Sequence, residues 1–480
     1  KAGTGDILLD PKNINIVDVS GDWANTVILR IPLDEDDDYG SAVSLNAAGD
    51  RLAVGAKADD GQGNSGYNEF GAVYLFSFTD TDFNGAVLEG TMGVGYTGSK
   101  NVDISGIVGE TDAFGYAVSL NGSGDRLAVG AALGENFSES GFAQGQVHLY
   151  SFSDSDFNDA TLEGTIGDGF NGGKNFDISL VNNARLGASV SLNDVGDRLA
   201  VGAEEAPKRN GDGRVYLFSF TDDNFSNGSL ESIVGRGVTG SENLNITTGT
   251  TNSLANFGKA VSLNAVGDRL AVGSFSKNVI SEVHLISFTD NNFNGAIEEG
   301  VIGGGTRYGS GSGYNVGKGI STTGISGGGL IGNAVSLNAA GDRLATGELY
   351  ITFSDINFND GKIQTNHLAE FDEVSALSFN GAGDHLAAGD VSGNNRNNSF
   401  ADTTGAVRLY EFNPAPPTLP ISSANFSTDA GTDQQINVND LSAQLASGAN
   451  VTLQASNDLT LVDGLTVNNG SGDGGKLTLQ

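Results

Sequence analysis

Five loops along the chain carry carboxylates and amides at alternate positions: "DTDFNG" at Asp80–Gly85, then "DSDFND", "DDNFSNG", "DNNFNG" and "DINFNDG". Oxygen atoms spaced this way resemble the opening of a calcium loop, so Asp80, Asp82 and Asn84, Asp154, Asp156 and Asn158, and Asp290, Asn292 and Asn294 are candidate ligands for a weak Ca²⁺. Leu88 fills the ninth position, where an acid is wanted, and no bidentate Glu stands at the twelfth. A turn held by Asx hydrogen bonds, with its Phe tucked inward, accounts for the same pattern without metal. No cofactor is required; calcium stays a candidate. Other motifs lack their context. "GVGYTG", "GDGFNG" and "GRGVTG" satisfy G-x-G-x-x-G but open polar excursions, whereas a dinucleotide site needs a strand before and a helix after. "GISGG" at Gly324–Gly328 matches a nucleophile elbow inside a Gly/Ser/Thr-rich loop. His148 and His284 fill a slot held elsewhere by Tyr74, Tyr216 and Arg408, His385 replaces an Arg, and His367 stands alone. No zinc or triad arrangement emerges from spacing. "DEDDD" at Asp34–Asp38 reads as a solvated loop. The expectation is a protein that is not an enzyme.

The elements behind these residues are repeats. "AVSLNAAGDRLAVGA" (Ala42–Ala56) returns in close copies beginning at Ala117, Ser189, Ala260, Ala334 and Ala376. A near-fixed period of this kind, shortened only before the last copy, marks a repeat architecture. Each unit reads as four short apolar strands bounded by Gly, Asn and Asp, apolar on both faces as strands between packed sheets must be. Radial repetition of such units predicts an all-β, six-bladed β-propeller with four-stranded antiparallel blades. The sixth unit has no fourth strand of its own, while "ANTVILRIP" (Ala24–Pro32) is an orphan before the first. Pairing of Ala24–Pro32 with Gly405–Phe412 would close the ring and leave no open edge.

Composition narrows the partners. The 480 residues hold 59 acidic against 24 basic side chains, a formal charge of −35. A surface this acidic excludes nucleic acid and disfavours anionic membranes. There is no Cys, hence no disulfide framework or thiolate metal site. No apolar run of about 18 residues is present to span a bilayer. The chain reads as a monomeric piece of a longer exported protein.

Two resemblances add to this. Tyr39-Gly40, Phe114-Gly115 and Phe257-Gly258 stand before "AVSLN…GDRLAVGA…GAVYLF". That pattern resembles the FG-GAP repeat of integrin-type propellers, over roughly residues 23–412, although the calcium loop of that family belongs in the first hairpin, here the acid-poor "NAAGD". The flanks, "GDILLDPKNINI" and "ANVTLQASNDLTL", are similar to filamentous-haemagglutinin-like exoproteins of two-partner secretion systems. The resemblance implies a propeller inserted into a parallel β-helix: coil segment 1–22, propeller 23–412, Pro-rich linker 413–420, coils 421–480. It further implies a secreted or cell-surface adhesin, exported through an outer-membrane transporter partner, that binds extracellular polysaccharide or a surface glycan or protein. Variable loops and crossings opposite the monotonous hairpin face supply the ligand-binding candidates Tyr67, Tyr96, Phe137, Phe142, Phe170, Arg209, Tyr308, Tyr314 and Arg396. Aromatic faces beside Arg suit sugar stacking. The alternatives are a secreted glycan-processing propeller enzyme and a purely structural spacer.

Overall fold

The computed structural model describes residues 6–9, 13–17, 22–31, 33, 36–63, 68–134, 143–180, 184–204, 212–247, 256–275, 281–304, 315–317, 331–347, 349–365, 374–391, 405–413, 433–437, 450–453, 458–461 and 477–479. The chain divides into two compact units, Trp23–Phe412 and the combined flanks Lys1–Asp22 and Asn413–Gln480.

The larger unit is a six-bladed β-propeller. Blade 1 runs outward through Tyr39–Leu45, Arg51–Ala56, Ala72–Ser77 and Val87–Gly93, each pair antiparallel. Blades 2, 3, 4 and 5 begin at Phe114, Leu186, Phe257 and Val335. Blade 6 is made of Ala376–Phe379, His385–Asp390, Ala406–Asn413 and, as its outer strand, Asp22–Leu29 from the other end of the ring. The orphan strand therefore sits where the sequence put it.

The four-stranded expectation needs correcting for blades 1–4. Each adds a fifth strand from the crossing to the next blade: Val102–Asp103, Phe176–Asp177, Leu244–Asn245 and Asn315–Gly317. The first three pair parallel to the fourth strand, the last antiparallel. The glycines of G-x-G-x-x-G build this crossing. In blade 1, Gly95 N–H donates to Asp103 Oδ1 at 3.0 Å, and blades 2 and 3 repeat the bond at Gly169 and Gly237.

Two rings of hydrogen bonds close the propeller. Ser44, Ser119, Ser191, Ser262, Ser336 and Ser378 line the axis, each Oγ accepting at 2.9 Å from a backbone N–H of the next blade; Ser378 receives Leu45 of blade 1. Below them Ala47, Gly122, Asp194, Ala265, Ala339 and Gly381 form an unbroken circle of N–H to C=O bonds. Apolar side chains fill the space between successive sheets. The closing cluster joins Val54, Tyr74 and Phe76 of blade 1 to Ala387, Leu409 and Leu29 of blade 6.

In the smaller unit every described pairing is parallel. Asp6–Leu9, Asn450–Leu453 and Leu477–Leu479 form one three-stranded sheet; Asp433–Asn437, Asn13–Val17 and Asp458–Leu461 form another. Each sheet joins the chain's beginning to its end. The Pro-rich linker lies outside the described residues beyond Asn413.

Candidate functional site

The repeated phrase is consumed by structure. Asn46 Oδ1 accepts from the N–H groups of Gly49, Asp50 and Arg51, while Asp50 holds its amide at 2.8 Å. The same cage recurs at Asn121 and Asn264, among others. Arg then leaves its own blade. Arg126 donates through Nε to Asp223 O at 2.6 Å and through a terminal nitrogen to Asn224 Oδ1; Arg51, Arg198 and Arg269 likewise reach the loops at Asp156, Asn292 and Asn357.

Those are the loops with the alternating oxygens. Within them Asp80 Oδ1 accepts from the N–H groups of Asp82 and Asn84, and both its oxygens take the Asn84 amide. Asp154 and Asp290 do the same with Asn158 and Asn294. These hydrogen bonds hold the Asp80, Asp154 and Asp290 carboxyls below the usual range. Asp156 and Asn292 are engaged by Arg51 and Arg198. The geometry is that of the Asx turn, with few oxygens left to converge on a calcium ion. The Phe is tucked inward: Phe83, Phe157, Phe225, Phe293 and Phe358 are all buried with φ between 58° and 62°. A left-handed backbone costs a bulky residue on the order of 1 kcal/mol or more. Each ring offsets that by packing edge-on, at 5.1–5.2 Å, against the Phe that directly follows the third strand.

The opposite mouth of the channel is where the blades differ. Each first strand in blades 1–4 enters through the aromatic- or Leu-Gly pair because the blades nearly touch there. A Cβ on Gly55 would lie 2.0 Å from the carbonyl of Gly115, and Gly389 stands the same way to Gly40 across the closure. The next residue lines the mouth: Ser41, Tyr116, Ala188, Lys259, Asn333 and Ser375 surround a cavity of about 100 Å³. Lys259 Nζ lies 3.4 Å from Glu204, 3.3 Å from the Tyr116 hydroxyl and 5.2 Å above its ring. Arg185 meets the other Glu204 oxygen at 3.0 Å. Burial works against the Glu204 charge, but Lys259 and Arg185 outweigh it and hold the carboxyl below the usual range. This cluster joins blades 2, 3 and 4, and no local motif announced it.

Among the predicted contact residues, Tyr96 and Phe170 are half-buried in the crossings. The Tyr96 hydroxyl lies 3.0 Å from that of Tyr74, and both address buried Asp59. Burial pushes Tyr96 up to about 12 and raises Asp59. Phe170 covers Gly167 as Tyr96 covers Gly93. Tyr67, Phe137, Phe142, Arg209, Tyr308, Tyr314 and Arg396 lie outside the described residues, as do His367, Gly324–Gly328 and two acids of the 34–38 run.

No family model and no curated protein sequence matches the chain. Among solved structures it is similar to a chain of "Crystal Structure of Mitotic Checkpoint Complex", at 12% identity and TM-score 0.40, covering 81% of this chain and 95% of that one. It is similar also to Saccharomyces cerevisiae Sqt1, at 11% identity and TM-score 0.39, covering 81% and 98%.

Proposed function

We propose that the protein is a non-catalytic binding head: a propeller of FG-GAP type set in a parallel β-helix, part of an exported filamentous-haemagglutinin-like adhesin that attaches to extracellular polysaccharide or a surface glycan or protein. The observation that carries this reading is the contrast between the two faces. On the hairpin face the repeated Asn, Asp, Arg and Ser side chains are committed to cages, clasps and rings. On the other, the mouth position carries five residue types in six blades, and Tyr116, Lys259 and Asn333 meet at a cavity. Variable side chains on a rigid scaffold are where recognition resides. The parallel sheets shared by the two flanks support the β-helix, since a solenoid stacks successive coils in parallel. The inward strands, Ala-Val-Ser-Leu in most blades, offer an enzyme little.

A glycan array, followed by a turnover assay on whatever is retained, tests the proposal. Retention without turnover is the expected result, weakened at least tenfold by combined Tyr67→Ala and Phe142→Ala in a variant that melts normally. Turnover would favour the glycan-processing alternative, and no retention by glycans or by cell surfaces would leave a spacer.

A further inference from the structure

Blade 6 breaks the repeat at two positions that face each other across its sheet. Blades 1–4 pair an Arg with a Ser: Arg51 with Ser77, Arg126 with Ser151, Arg198 with Ser219 and Arg269 with Ser287. Blade 6 pairs His385 with Glu411. From each of blades 1–4 the Arg bridges the gap to the next blade's loop. At the closing junction that loop belongs to blade 1 and presents Asp82. His385 Nε2 stops 3.9 Å from Asp82 Oδ1, too far for a hydrogen bond. The side chain is only 9% exposed, lies edge-on to Phe83 at 5.3 Å, and its Nε2 is buried without a hydrogen-bond partner. A buried orphan nitrogen of this kind asks for an explanation. Asp82, His385 and Glu411 bring one ligand atom each within 4.8 Å of one another.

We propose that this junction is a zinc-class metal site, with His385 Nε2 and the Asp82 and Glu411 carboxylates as protein ligands and water completing the shell. Zinc bonds to imidazole nitrogen and carboxylate oxygen are each about 2.0–2.2 Å, so ligand atoms around a tetrahedral ion stand about 3.4 Å apart, and the exposed Asp82 side chain need swing in by only about half an ångström. The second ring nitrogen supports this role. His385 Nδ1 lies 2.8 Å from Asp384 Oδ1, the carboxylate–histidine arrangement that fixes the proton on Nδ1 and turns the Nε2 lone pair outward. Imidazole selects a borderline transition metal over Ca²⁺ or Mg²⁺, which separates this site from an all-oxygen loop although Asp82 belongs to both sequence patterns. The ion would tie the last blade to the first, replacing the guanidinium clasp that blades 1–4 extend to their neighbours.

The 480-residue protein, dialysed against chelator and then into metal-free buffer, is titrated with Zn²⁺ alone, following heat uptake and melting temperature. Co²⁺ then serves as a visible probe of nitrogen ligation. One tight equivalent of Zn²⁺ that raises the melting temperature, unmatched by the same concentration of Ca²⁺, is expected. His385→Arg installs the residue that blades 1–4 use, and so keeps a clasp to Asp82 while removing the ligand. Glu411→Ser restores the sister residue on the partner strand. Each variant should bind Zn²⁺ at least tenfold more weakly and lose the Co²⁺ absorption. Absence of a stoichiometric equivalent in the unaltered protein, or equal binding by folded His385→Arg, overturns the proposal.

Discussion

At the scale of single residues, one slot in the blade shifts the pKa of the same side chain in opposite directions. His148 and His284 stand where Tyr74 and Tyr216 stand in sister blades, and both are buried. His148 faces Thr165 at 3.2 Å, with no acid to hold a proton, and burial lowers its pKa to about 4. Burial also works against a charged His284, but Glu282 and Glu298, at 3.3 and 2.6 Å, overcome it and raise the pKa. The signs follow by linkage. Unfolded His148 takes up a proton near pH 6.5 that the folded residue refuses until about pH 4, so stability falls as pH drops through that window. The loss approaches roughly 3 kcal/mol at about 1.4 kcal/mol per unit. The His284 contribution is present below about pH 6.5 and lost as pH rises through its raised value. His148→Tyr, the sister residue, should flatten stability between pH 6.5 and 4; urea midpoints across that range test it, and equal slopes would refute it. The shared slot was legible in the repeats. The protonation states were not, because they turn on which side chain the fourth strand brings alongside.

Elements show the same division between local and distant information. The Asx turn was readable, since its partners lie two to four residues apart, whereas the equally local Asn cage was read only as hairpin turn residues. The Arg clasp was not, because Arg126 meets Asp223 from the far end of the next blade. The two-residue fifth strands were missed for another reason: so short a strand has no alternation to detect. Copies of the clasp should differ in worth. Arg198 donates to Asn291 O and Asn292 Oδ1 as well as to Asp197 O beside it. Arg343 faces blade 6, whose third strand passes into the C-terminal flank instead of such a loop, and donates to Gly383 O at 3.0 Å. A hydrogen bond from a charged donor contributes about 1.5–3 kcal/mol. Arg198→Ala should therefore cost about 3 kcal/mol or more and Arg343→Ala the smaller loss, about 1.5–2 kcal/mol. Chemical denaturation midpoints of the two variants check the ordering, and equal losses would remove the clasp from the argument.

For the whole molecule the decisive feature is where the chain's two ends meet. Five blades are built from consecutive sequence, and their outer strands come from the same stretch as their inner ones. Blade 6 borrows Asp22–Leu29, so the ring is held shut there by non-covalent contacts alone: the strand pairing, Leu45 N–H on Ser378, Gly381 N–H on Ala47 O, and the apolar cluster around Leu29. Successive residues of a strand aim their N–H groups to opposite sides, so Pro at both Val27 and Ile28 necessarily removes one donor directed at Ala406–Asn413, whatever the register. The same pair placed at Lys362 and Ile363 in the outer strand of blade 5 removes an equivalent bond without touching the closure. The blade 5 variant should keep the mass in solution of the unaltered protein and lose the few kcal/mol typical of a broken ladder. The Val27→Pro, Ile28→Pro variant should lose more, and should associate as its concentration rises, because freeing Ala406–Asn413 exposes an unpaired edge that another chain can extend. Light scattering on a sizing column, together with melting curves, separates the two. Indistinguishable behaviour would mean that the inner rings of Ser hydroxyls and backbone amides hold the propeller closed without the borrowed strand.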